Sequence, residues 1–226
     1  ETEIGAAAPG PAPADGETAG GEAPSTGSRL DQGGFGDLQE VCAEGEPGTT
    51  TETGLAADEI RLGTVTDKGS GERPGLTQEM YDAAVAFAAW CNEHGGIGGR
   101  SVVIDDLDAR LFEYGQRIGE ACQQDFALVG GGAVFDAQDD GARAACGLIN
   151  LPGYVVTPQA RAAELQVQPV PNPVYSFASA GYRWLLEAHP EVTKFGILWV
   201  NLDGPSTVRA QTVEMAEQLG MEVVFD

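Results

Sequence analysis

The chain has 226 residues, with 12 basic and 35 acidic side chains and a formal net charge of −23, which leaves room for one large or two small domains. So few cations, only Lys68 and Lys194 among them lysines, cannot neutralise a phosphate backbone, and nucleic acid is excluded as a partner. No apolar run approaches the roughly 18 residues of a membrane span, and two histidines with four cysteines at no CxxC spacing are too few soft ligands for a transition-metal enzyme.

Residues 1–57 are rich in Ala, Gly, Pro, Glu, Ser and Thr and carry a single basic residue, Arg29. Such a segment cannot bury enough surface to offset its ordering entropy, so a disordered low-complexity tether is predicted. Glu1 is not an initiator methionine, and a processed or cropped chain is expected. Cys42 stands out in this stretch, because a cysteine in a tether implies something to pair with.

The organising stretch runs from Glu59 to Asp108. Ile60, Leu62 and Val65 form a short β-prone run, and Asp67–Gly75 breaks it with Gly, Ser and Pro. From Leu76 the period becomes helical: Leu76, Met80, Ala84, Phe87 and Cys91 share one face. Gly95 and Gly96 stop that helix, and Ser101–Ile104 opens a second strand. Strand, helix and strand joined by short loops make a parallel, right-handed βαβ unit.

Beyond it, Leu111–Gln124 is predicted helical with Phe112, Ile118 and Cys122 as its apolar residues, and Phe126–Val129 is a third strand closed by Gly130, Gly131 and Gly132. Asp136 is expected to cap a third helix reaching Cys146, with Asp139 and Asp140 near its positive end. Tyr154–Val156 is predicted as the fourth strand, Gln166–Pro173 as an extended connector and Val174–Phe177 as a fifth strand. A second alternation follows: helix 181–188, strand 195–200, helix 206–219 and strand 222–225. The fold class is α/β, a doubly wound parallel sheet over 58–176 plus the start of a second α/β lobe over 177–226. With two strands made by Asp226, that second lobe is expected to be incomplete.

Gly69, Gly71 and Gly75 do not make a dinucleotide loop, because Asp67 and Glu72 would repel a phosphate. The P-loop ending and the GxSxG elbow are absent. Asp105 and Asp106 could do acid–base work or bind Mg²⁺, but a solvated strand end is the commoner use of such a pair. No catalytic residue, metal site or cofactor is assigned. In a doubly wound sheet the second and third helices share a face opposite the first, so Cys122 and Cys146 can pair, leaving Cys91 for Cys42. Two such bridges imply an oxidising compartment.

Ligands of open α/β sheets lie beyond the carboxyl ends of the strands. Those ends are Asp67–Gly71, Gly131–Asp136, Thr157–Arg161 and Asn201–Ser206, which makes Asp67, Gly71, Gly132, Asp136 and Thr157 candidate contacts. The stretch 58–226 resembles the substrate-binding proteins of ABC transporters of the branched-chain amino acid type, the type I periplasmic binding-protein family. The likeness lies in GTVTDKGSGERPG before MYDAAVAFAAW, in the turn CNEHGGIGGR, in DFALVGGGAVFD, in YVVTPQARAAEL, and in KFGILWVN with VEMAEQLGMEVVF. It implies two lobes closing on a small polar or zwitterionic solute, delivery to a membrane permease, a monomer, and a lipidated cysteine upstream of Glu1 on the outer face of the cell membrane. It places the first-lobe contacts on Ser70, Ala133, Phe135, Gln159 and Arg161, and the second-lobe contacts on Asn201, Asp203 and Ser206. Where amino-acid binders of that family carry serines, this chain has Gly131, Gly132, Ala133, Val134 and Phe135. A ligand-binding sensor domain of a signalling receptor is the alternative on the same fold.

Overall fold

A computed structural model describes residues 30–49, 51–137, 141–174, 177–199 and 203–225. Four parallel strands, β1 (Glu59–Thr66), β2 (Ser101–Asp108), β3 (Ala127–Val129) and β4 (Ile149–Leu151), stand in the order β2-β1-β3-β4. The chain leaves β1 for β2 on one side and returns to β3 on the other, so the topology switches between β1 and β3. Two further parallel strands, β5 (Lys194–Gly196) and β6 (Glu222–Phe225), form a separate pair.

Alternation along the strands divides the core between the two faces of the larger sheet. Helix α1 (Gln78–Glu93) packs Ala88 and Cys91 on Val102, Leu62 and Ile104. On the other face, α2 (Tyr114–Gln124) sets Tyr114, Ile118 and Ala121 against Val65, Leu107 and Leu128. Helix α3 (Ala142–Cys146) joins α2 there through the Cys122–Cys146 bridge. The short α4 (Pro158–Arg161) follows β4, and α5 (Ala180–Ala188) and α6 (Asp203–Gln218) accompany the second strand pair. Asn92 closes the turn from α1 into β2: its amide donates to the Val102 carbonyl (2.9 Å) and accepts from the Val102 N–H (2.7 Å).

The described part of the stretch 1–57 lies against the lobe. Cys42 is bridged to Cys91, the Trp90 indole donates to the Leu30 carbonyl (3.1 Å), and Phe35 meets Phe87 and Trp90 edge-on. Arg100 donates to the carbonyls of Gly48 (2.6 Å) and Ala56 (2.9 Å).

Several predicted elements are displaced. The fourth strand is Ile149–Leu151, whereas Tyr154–Val156 lies outside any strand. The β-branched pair Val155-Val156 favours a strand locally, but the Val156 N–H is held by a carboxylate rather than by a neighbouring chain. Asn150 weakens the apparent propensity of the true strand, yet it is buried and its amide donates to Gln166 (3.1 Å). The third helix is capped by Gly141, not by Asp136, and has only five residues. Asp139 and Asp140 lie outside the described residues, as do Tyr175 and Ser176 of the expected fifth strand and Val200 of the expected 195–200 strand. The second helix starts at Tyr114, so Phe112 belongs to the loop before it and is 75% exposed.

Candidate functional site

The parallel sheet brings the loops after β1, β3 and β4 to one edge. Two buried aspartates stitch them together. Asp67, at the exit of β1, accepts from the Leu111 N–H with Oδ1 (2.7 Å) and from the Val134 N–H with Oδ2 (2.8 Å). One carboxylate thus holds the loops that follow β2 and β3. Asp136 accepts from the Val156 N–H (2.7 Å), the Thr157 N–H (2.9 Å) and the Thr157 hydroxyl (2.6 Å), joining the β3 loop to the segment after β4. Thr157 in turn accepts from the Ala160 N–H (3.3 Å), capping α4 with Pro158 at its first position. Burial pushes both carboxyls above their ordinary range, against the pull of these hydrogen bonds.

The approach at the switch point is close. A Cβ on Gly131 would lie 2.4 Å from the Val65 carbonyl oxygen, and one on Gly132 would lie 2.6 Å from the Tyr154 ring, so glycines are obligatory here. Tyr154 is itself largely enclosed, its phenol pushed above the ordinary range by burial first and then by the charges of Asp67 and Asp136. The cavity under these loops, about 10 Å³, holds no more than one water.

The expected contacts consequently divide. Asp67, Ser70, Ala133, Asp136 and Thr157 are buried, and Ala133 is part of the core. The Ser70 hydroxyl accepts from the Arg73 N–H (3.2 Å). Gly71 and Gln159 are exposed, while Gly132, Phe135 and Arg161 are half-buried. Arg161 is a half-buried cation at this edge: Nη1 donates to Gln211 of α6 (2.8 Å), and its buried Nε has no partner. Burial lowers its pKa, opposed by the nearby charge of Asp136. Gln211 passes the link on to the Val174 carbonyl. Asn201 lies outside the described residues, and Asp203 and Ser206 stand at the start of α6.

The loop after β2 brings an unpredicted residue to this edge. Phe112 stacks on Phe135 with ring centroids 5.3 Å apart and planes 16° apart. Arg110 and Leu111 before it have φ of 48° and 73°, in the left-handed region. The run Asp-Ala-Arg-Leu-Phe contains neither Gly nor Pro, so no local signal announces this turn.

Asp105 and Asp106 point to opposite faces of the sheet, as neighbours in a strand must, and do not form one site. Asp105 pairs with Arg61, while Asp106 holds Lys68 (2.5 Å). Beside Asp105, the buried Asp125 carboxyl is pushed up to about 8 by burial first and then by the neighbouring Asp105 carboxylate.

No protein-family model matches the chain, and no curated protein matches it. Solved structures of ABC transporter substrate-binding proteins share its fold. A fatty acid ABC transporter substrate-binding protein from Thermomonospora curvata is 20% identical with a TM-score of 0.63, over 81% of this chain and 48% of that one. An ABC transporter substrate-binding protein from Desulfitobacterium hafniense is 17% identical with a TM-score of 0.53, over 74% and 50%. A periplasmic binding protein from Burkholderia mallei is 15% identical with a TM-score of 0.56, over 75% and 46%. The chain spans about half the length of these structures.

Proposed function

We propose that this chain supplies the first wall of a solute-binding cleft, captures a small amino-acid-like solute at the carboxyl rim of its sheet, and delivers it to an ABC permease. The observation that carries this reading is the convergence of the segments after β1, β2, β3 and β4, locked by Asp67 and Asp136, at the switch between β1 and β3. A crevice at that point is where open α/β sheets take their ligands. Among the described residues of the rim none forms a nucleophile with a base beside it, and the two stitching carboxylates are engaged by N–H and hydroxyl donors, which suits binding without transformation.

In this reading Arg161 receives the carboxylate of the solute, because its half-buried side chain stands on α4 at the carboxyl edge of the sheet and a guanidinium matches a carboxylate in two parallel hydrogen bonds. Two of the structures with this fold support a carboxylate-bearing solute: one is described as a fatty acid binder and another, also from Desulfitobacterium hafniense, as a complex with Leu. The two disulfides fit a location outside the cytoplasm. The strand pair β5–β6 fits the opening of the second wall. Calorimetric titration of the chain with a set of amino acids and carboxylic acids tests the reading. Binding that Arg161→Ala weakens about ten-fold, with the melting temperature preserved, supports it; binding indifferent to Arg161 removes this residue from the site.

A further inference from the structure

We infer that Phe112 and Phe135 form a stacking platform that selects a planar, aromatic portion of the solute. This rests on the capture reading above and specifies the ligand class: an aromatic carboxylate or aromatic amino acid.

The platform is held by construction. The residues immediately before the two phenylalanines, Leu111 and Val134, donate their N–H groups to the two oxygens of a single buried carboxylate, that of Asp67. Asp67 therefore sets the positions of both rings at once. On the Phe112 side the Arg110 N–H donates to Asp108 Oδ1 (3.1 Å), and two consecutive residues take left-handed backbone conformations that L side chains adopt only at a cost. This strain delivers a large apolar ring to solvent. Phe112 has one face on Phe135 and remains 75% exposed, while Phe135 is half-buried.

An exposed phenylalanine by itself means little. A near-parallel pair anchored to one buried charge presents a flat π face at the carboxyl edge of the sheet, next to Asp136 and its partner Thr157. The geometry favours a ring over an alkyl chain, because a planar guest extends the offset stack already begun by the two side chains. Serine hydroxyls at this place would instead satisfy a compact zwitterion.

The test is calorimetric titration of the chain, and of Phe112→Ala and Phe112→Leu, with L-phenylalanine, benzoate, L-leucine, octanoate and glycine. The expected result is tighter binding of L-phenylalanine and benzoate than of the other three. Phe112→Ala should weaken those two about ten-fold or more and leave L-leucine nearly unchanged, with Phe112→Leu intermediate. As Phe112 is mostly exposed, unchanged melting temperatures should show that the variants fold. Preference for L-leucine, octanoate or glycine in the unmodified chain overturns the platform and leaves solute capture standing. Equal weakening of every solute by Phe112→Ala also overturns it, because the ring then serves closure rather than selection. If none of the five probes binds the unmodified chain, the platform fails, and the amino-acid-like form of the capture reading fails with it.

Discussion

Replacing Asp67 should test how the whole rim is held. Its carboxylate is fully buried and accepts two backbone N–H groups, from Leu111 and Val134, that belong to loops following different strands. Hydrogen bonds to a charged group contribute about 1.5–3 kcal/mol each, so the pair amounts to about 3–6 kcal/mol before the desolvation of the carboxylate is set against it. Burial already raises the Asp67 pKa, which marks that opposing cost. Asp67→Asn keeps one acceptor but turns an NH₂ toward the second N–H, for a net loss of about 2–3 kcal/mol. Asp67→Ala leaves both donors unpaired next to a void, and should lose about 4 kcal/mol. Urea unfolding followed by circular dichroism measures the loss. Amide hydrogen exchange locates it, with faster exchange expected at Leu111 and Val134. A loss below about 1 kcal/mol in Asp67→Ala, or exchange unchanged at these two amides, would refute the keystone role.

Asp125 should make stability depend on pH. Its folded pKa of about 8 lies above its unfolded value, so the folded state binds the extra proton and stability is lost as pH rises from about 4 through about 8. Asp125→Asn cannot ionise, so it should match the unmodified chain near pH 4 and exceed it by a few kcal/mol near pH 9; parallel stability curves across that range would count against this. The disulfides should differ by loop length. With separations of 49 and 24 residues, paired Cys→Ser replacement should cost about 4 kcal/mol for Cys42–Cys91 and about 3 kcal/mol for Cys122–Cys146 on the loop-entropy relation. Calorimetric melting measures both, and only loss of the first should expose residues 30–49 to protease.

Much of the fold was legible because its signals are local. β1, α1 and β2 follow from the change of apolar period between Ile60 and Ile104, and α6 with β6 follows from the same change nearer the end. β4 was not legible, because Val155 and Val156 have the better strand propensity and only the Asp136 carboxylate, arriving from another loop, removes them from the ladder. Phe112 was misplaced for a related reason. The run Leu111–Tyr114 holds no Gly or Pro to delay a helix, whereas the Asp67 hydrogen bond to Leu111 holds the preceding turn in a left-handed conformation.

Sequence alone determined the alternation of strands and helices, the parallel sheet and the pairing of the cysteines, since periodicity and right-handed crossover settle which helix lies on which face. Only the tertiary structure decided the uses of the rim residues. Asp67 and Asp136 look like ligand groups in the linear order, yet their oxygens accept from N–H groups 20 to 67 residues away. A carboxylate reads the same whether its partner is a solute or a distant backbone, and the chain must close on itself before the difference exists.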